Sequence, residues 1–99
     1  DYRLAKSREM ATHHFSDICK LALHGGIDTL FVSLNRHLWG RLNLRTGDYE
    51  LQSKGPHAQN DDLLDDLAEI VLEKGGKVVV LPEELMPESS PACAILRGY

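Results

Sequence analysis

Cysteine is scarce in this chain of 99 residues: there are two, Cys19 and Cys93. They lie far apart and in no Cys-x-x-Cys or other metal-ligand spacing, which excludes a cysteine-based metal site. Each has apolar neighbours, Ile18 beside Cys19 and Ala92 and Ala94 around Cys93. Both therefore read as small buried hydrophobes of a reducing compartment. No apolar run approaches the ~18 residues of a membrane span, and no secretory signal is visible. A cytoplasmic protein that keeps away from membranes is expected. A surplus of cations is missing too: 11 Lys and Arg stand against 15 Asp and Glu, a formal net charge of -4. Non-specific nucleic-acid binding works by displacing counterions with cations, so RNA is a disfavoured partner. A local basic cluster remains in Arg36, Arg41 and Arg45. Serines 33, 53, 89 and 90 lack a Gly-x-Ser-x-Gly context, and no nucleophile constellation stands out.

What is present is the make-up of an ordinary globular domain, 42% hydrophobic and 26% charged. A chain of this size buries roughly 60–65% of its unfolded surface, enough for one core without staples. Residues 1–99 are read as a single domain. The sequence opens on Asp1 rather than Met, straight into a helical pattern, and is expected to be part of a longer protein.

Residues Tyr2 to His24 read as one helix, with Leu4, Ala11, Phe15, Ile18 and Ala22 on its apolar side. Gly25-Gly26 stops it. Ile27 to Leu34 follows as a strand whose centre, Leu30-Phe31-Val32, is apolar on both faces. Leu38 to Arg45 alternates: Leu38, Gly40, Leu42 and Leu44 point one way, Trp39, Arg41, Asn43 and Arg45 the other. Thr46-Gly47-Asp48 turns the chain, and Tyr49 to Gln52 returns. Ser53 to Gln59 is a polar loop. Asn60 is the expected cap of the next helix, with Asp61 and Asp62 in its first turn. That helix runs to about Lys74, with Leu63, Leu67, Ile70 and Val71 facing the core and Leu64, Ala68 and Leu72 widening the stripe. Gly75-Gly76 closes it and delivers Lys77–Leu81, expected as a central strand. A loop rich in proline and glutamate, Pro82–Pro91, precedes a last apolar strand, Ala92 to Arg97. Helices alternating with strands give an α/β layered domain, a mixed β-sheet with helices packed on it.

The candidate sites have ordinary readings beside them. The two glycine pairs run from helix to strand, whereas phosphate loops run from strand to helix, so they read as helix stops. Their likeness to each other reads as a shared way of joining helix to strand rather than as a duplication. Asp61, Asp62, Asp65 and Asp66 put four carboxylates on two turns. They suit a divalent cation or an acid/base pair, and equally the N-terminal dipole of a helix. His13 and Asp17 stand one turn apart, with His14 and His24 nearby, but no third ligand follows in sequence. His37 and His57 are isolated. Trp39 lies on the polar face with Arg41 and Arg45, either as a partner or nucleotide contact or packed under the Ser53–Gln59 loop or another domain.

Taken together, Asp61–Leu72, Gly75-Gly76-Lys77-Val78-Val79-Val80-Leu81, Met86-Pro87 and Ala92–Arg97 resemble the C-terminal domain of archaeo-eukaryotic peptide-chain release factors and their Pelota-like relatives, most closely the bacterial branch. His24-Gly25-Gly26-Ile27-Asp28-Thr29-Leu30-Phe31-Val32 resembles the family's earlier helix-to-strand junction, and Trp39-Gly40 fits its hairpin. Gly98 between Arg97 and Tyr99 lengthens the usual ending slightly. The resemblance implies an α/β/α sandwich similar to the ribosomal L7Ae domain. In release factors peptidyl-tRNA hydrolysis is carried by a Gly-Gly-Gln motif in another domain. Here the glycine pairs are followed by Ile27 and Lys77, so no catalytic residue is carried over. L7Ae proper binds kinked RNA through Gly-x-Asn-Glu at a helix start, and Asp1-Tyr2-Arg3-Leu4 lacks it.

The resemblance implies a non-catalytic interaction domain acting in translation termination or ribosome rescue, with a protein partner or the ribosome and no cofactor or metal. The expected partner surface is Trp39, Arg41 and Arg45 with Glu83 and Glu84. Two other readings predict different observations. An L7Ae-like RNA-binding module needs a contiguous basic patch, and a metal-dependent hydrolase needs Asp62, Asp66 and a histidine to converge in one cleft.

Overall fold

The computed structural model describes residues 2–51 and 61–98. The expected Ser53–Gln59 loop, the Asn60 cap and His57 lie outside them. The described elements are α1 (Tyr2–Ser7), β1 (Ala11–Thr12), α2 (Phe15–Leu23), β2 (Ile27–Ser33), β3 (Trp39–Leu42), β4 (Tyr49–Leu51), β5 (Asp61–Asp62), α3 (Leu63–Glu73), β6 (Lys77–Leu81) and β7 (Ala92–Leu96), with a 3-10 turn at Glu83–Leu85.

Four strands form a mixed sheet in the order β1-β7-β2-β6. β2 and β6 are parallel, and β7 runs antiparallel to both β1 and β2. Alternation along β7 divides the core. Ala92 and Ala94 face a large cluster with Ile18, Cys19 and Ala22 of α2 and Leu64, Leu67, Ile70 and Val71 of α3. Cys93 and Ile95 face the other way, against Tyr2 and Ala5 of α1 and the partly buried Phe31 and Met86. Helices thus cover both faces, the expected sandwich, with α1 as the thin layer. A second sheet, β4-β3-β5, packs Leu38 (just before β3), Leu42 and Tyr49 onto the larger cluster. Phe15 meets Tyr49 edge-on at 4.8 Å between ring centres.

A bulge lets β2 serve the core. Ile27 pairs with Leu96 and Thr29 with Ile95, which leaves Asp28 as the extra residue. Without it Ile27 would face away from Leu30 and Val32, and with it all three are buried together.

Both long helices end identically. Gly25 N–H donates to Ala22 O and Gly26 N–H to Leu21 O, and Gly75 and Gly76 repeat this on Leu72 O and Val71 O. These are Schellman motifs, with Gly25 (φ 72°) and Gly75 (φ 88°) in the left-handed region that glycine enters without strain.

The expected single helix over Tyr2–His24 is broken. Glu9 is left-handed (φ 59°), and Met10 N–H turns back to Ala5 O. Ala11 and Thr12 then pair with Ile95 and Ala94, and Met10 O accepts from Leu96 N–H. β7 is buried on both faces, so its outer backbone groups need partners more than the helix needs those residues. Of the expected apolar stripe, Ile18 and Ala22 are buried while Leu4 is exposed.

The strand Lys77–Leu81 is not central. It is the edge of its sheet, and Val80 is 53% exposed. β7 takes the interior place because its small Ala and Cys side chains let helices approach closely, and all three are fully buried.

The hairpin strand stops at Leu42 rather than Arg45. Asn43 Oδ1 accepts from Arg45 N–H (2.9 Å) and Thr46 N–H (3.3 Å), so the side chain competes with the ladder. Leu44 is consequently 67% exposed instead of facing the core. Gly40 does face inward, and a Cβ there would meet Glu50 O at 2.0 Å. Helix α3 begins one residue after Asp62, which caps it, and Asp61–Asp62 pairs with Trp39 and Gly40 as a strand instead of forming a first turn. Leu72 lies on the exposed side of α3 rather than in its stripe.

Candidate interaction surface

Asp62 organises the end of the domain where β2 and β6 finish. Its Oδ1 accepts from Leu64 N–H at 3.1 Å, capping α3, and from Leu38 N–H at 3.3 Å. Its Oδ2 lies 2.7 Å from His37 Nδ1. Leu63 N–H donates to Leu38 O at 2.7 Å, fastening the loop 34–38 to the helix start. The Asp62 side chain is 10% exposed, while that of His37 is 58% exposed. A carboxylate at a helix N-terminus is favoured by the dipole, and three donors hold this one in place.

His37 in turn holds Trp39. The rings stack at 5.4 Å between centres with 15° between planes. Trp39 is half-buried, and the Ser53–Gln59 loop expected to pack over it lies outside the described residues. The neighbouring Arg36 reaches Glu83 of the 3-10 turn at 3.6 Å, and Glu83 N–H donates to Asn35 Oδ1 at 3.4 Å. The segment Asn35–Trp39 thus links Trp39 to Glu83 at one end of the sheet, with Glu84 exposed beside it.

The other expected surface residues are dispersed. Arg41 borders a groove of about 430 Å³ shared with Leu42, Leu44, Asp66, Glu69, Ile70 and Glu73. Arg45 is exposed on the hairpin turn, where Asp48 meets Lys20 of α2 at 3.9 Å. Sequence spacing predicts Trp39, Arg41 and Arg45 in one row. The early stop of β3 at Asn43 breaks that row.

A second polar cluster pins α1. Glu88 receives Lys6 Nζ at 2.5 Å, with Tyr2 OH at 3.4 Å and His13 Nδ1 at 3.6 Å. The Lys6 hydrogen bond holds the Glu88 carboxyl below the usual glutamate range. Burial raises the Tyr2 phenol, with Cys93 and Glu88 adding to the shift. Burial likewise pushes the Cys19 thiol up to about 12 and raises that of Cys93, as expected of structural cysteines.

Among the described residues no group of three His, Cys, Asp or Glu is placed to hold a metal ion. Asp62 is engaged with its cap and His37, and Asp65 is exposed. His13 and His14 lie with ring centres 4.5 Å apart and their planes tilted by 31°. Both glycine pairs are helix stops. His37 and Asp62 are 25 positions apart in sequence, and only the pairing of β3 with β5 brings them together.

No protein-family model and no curated protein sequence matches the chain. Solved structures do match it in three dimensions, among them two release-factor structures. The C-terminal domain of a peptide chain release factor from Methanosarcina mazei superposes with a TM-score of 0.70 at 16% identity, covering 96% of this chain and 75% of that one. The fold is that of a release-factor C-terminal domain. The archaeal translation termination factor aRF1 superposes with a TM-score of 0.59 at 20% identity, over 96% of this chain. This chain spans 22% of that factor's length. The expected sandwich is therefore met, and what these proteins share with the chain is its fold. Among the described residues no helix is long and apolar enough to cross a membrane.

Proposed function

We propose that this chain is a non-catalytic interaction domain of a bacterial release-factor-like protein, acting in translation termination or ribosome rescue through contacts with a protein partner or the ribosome. The observation that supports this most is the superposition on the Methanosarcina mazei release-factor domain over 96% of the chain. The partner surface in this reading centres on Trp39 and His37, with Arg36, Glu83 and Glu84 beside them and Arg41 and Arg45 towards the hairpin. A half-buried tryptophan held by a stacked histidine is pre-ordered, so docking onto it costs little side-chain entropy.

Co-sedimentation of the tagged chain with purified bacterial ribosomes tests this reading. Wild type is retained, and Trp39→Ala lowers retention by tenfold or more while Arg41→Ala lowers it less. Retention unchanged in both variants overturns the surface. No retention of wild type, and no translation factor bound in its place, overturns the function.

A further inference from the structure

Arg41 apart, the groove of about 430 Å³ between the end of β3 and α3 is not used by the surface proposed above. Its two walls differ in chemistry. From α3 it is lined by Asp66, Glu69 and Glu73, at i, i+3 and i+7, so three carboxylates follow one another along about 10 Å of helix. Glu69 and Glu73 are exposed and enter no ion pair among the described residues. Against them the described lining sets one cation, Arg41. The apolar part is Leu42, half-buried, and Ile70, buried, with Leu44 exposed beside them. Leu44 stands out because Asn43 ends β3 before it.

A leucine exposed by itself needs no explanation. A leucine beside an apolar floor and a row of carboxylates selects its ligand. RNA and anionic lipid bring phosphates that the α3 wall repels, and an acidic peptide is repelled likewise. A wholly apolar occupant desolvates Glu69 and Glu73 with no bond in return. The complementary occupant is cationic and carries an apolar side chain. Lys and Arg fit both demands, since their stems cover apolar area while their heads meet carboxylates.

We propose that this groove docks a basic amphipathic segment of a protein partner, with an apolar side chain seated on Leu42, Leu44 and Ile70 and Lys or Arg side chains against Glu69 and Glu73. The apolar contact holds the segment, and the charges choose it and set its direction along α3. The docking goes beyond the proposed role in translation and does not rest on it: it is read on a peptide, and failure of ribosome retention leaves it standing.

Fluorescence anisotropy of a labelled synthetic peptide of Leu and Lys in amphipathic order, titrated with the chain, tests the proposal. Binding is expected at micromolar concentration and weakens as salt is raised. Glu69→Lys with Glu73→Lys lowers the affinity by roughly tenfold or more, and the reversed chain takes up the same peptide with Glu in place of Lys. Leu44→Ser, at an exposed position, lowers it by roughly threefold or more. Asp17→Lys with Asp28→Lys makes the same change of net charge at exposed residues outside the groove, and leaves the affinity nearly as it is. Far-UV circular dichroism as in wild type shows that each variant keeps its fold. The proposal is overturned by a Leu–Lys peptide that does not bind, by an affinity unmoved by the groove variants, or by an equal loss in the Asp17 and Asp28 variant. Single-stranded RNA or anionic vesicles bound through the same residues overturn it too. So does self-association of the wild-type chain that Leu44→Ser abolishes, which makes a second copy the occupant.

Discussion

The Nε–H of Arg97 donates to the carbonyl of Gly25 at 2.6 Å. The same guanidinium donates through Nη2 to Lys74 O at 2.7 Å, and the Arg97 backbone N–H reaches Gly26 O at 2.9 Å. One side chain therefore ties the C-terminal ends of α2 and α3 together. Each end carries the negative pole of its helix and carbonyls without intrahelical partners, so a planar cation with several donors fits between them.

Arg97→Ala should lower stability by about 1–2 kcal/mol, the value of losing charge-assisted bonds at a solvent-exposed site. Arg97→Lys should recover less than half, because one ammonium does not span both carbonyls. Thermal unfolding followed by circular dichroism measures both, with about 4–8 °C per kcal/mol expected for a domain of this size.

The second glycines of the two pairs should differ. A Cβ on Gly26 meets Leu21 atoms no closer than 3.4 Å, whereas one on Gly76 lies 2.7 Å from Val71 Cγ1 and 2.8 Å from Ile27 O. Gly26→Ala should cost under about 1 kcal/mol, and Gly76→Ala about 2–3 kcal/mol through forced backbone shifts. Equal urea midpoints for the two variants would contradict the geometry.

Asp62→Ala should cost about 1–2 kcal/mol as the cap of α3 is lost. It also releases His37, so the emission of Trp39, the one tryptophan in the sequence, should move with it. Asp62→Asn keeps a capping oxygen and should retain most of the stability. An emission spectrum unchanged in Asp62→Ala would separate Trp39 from the cap.

Glu88 contributes to the acid side of the stability profile. Its folded pKa lies below the ordinary value of 4.5, so its contribution is present above that pH and lost as pH falls through the depressed folded value. The stability gap between wild type and Glu88→Gln should therefore be widest near neutrality and close in acid. Urea titrations at several pH values measure it, and a gap independent of pH would show that Lys6 and Glu88 do not couple.

Ser33 Oγ is buried, with no hydrogen-bond partner among the described residues. Ser33→Ala should be neutral or stabilising, since the hydroxyl is desolvated with no bond in return. A loss of more than about 1 kcal/mol would reveal an unrecognised partner.

Much of this fold is legible in the residue order. Helix α3 shows its apolar period, its acidic start and its glycine stop within one window, so local signals suffice. The β2 segment is legible as a strand, but its bulge is not, because Asp28 is displaced by pairing with β7 and by nothing local. The break at Glu9–Thr12 is hidden for the same reason: the demand comes from β7, more than 80 positions away. The position of Lys77–Leu81 at the edge is hidden because three consecutive valines look alike in a buried and an edge strand. Of the candidate surface, Trp39 is visible as an aromatic on a polar face. His37 and Asp62 gain their meaning from a strand pairing that no spacing announces.

The paired strands also show how differently the two glycine stops feed the sheet. Thr29, third after Gly26, pairs with Lys77, first after Gly76. The two strands therefore enter the shared ladder at different distances from their glycine stops. The two glycine pairs are one backbone solution at two helix ends, and α2 takes the longer lead-in, with the displaced Asp28, to meet the ladder.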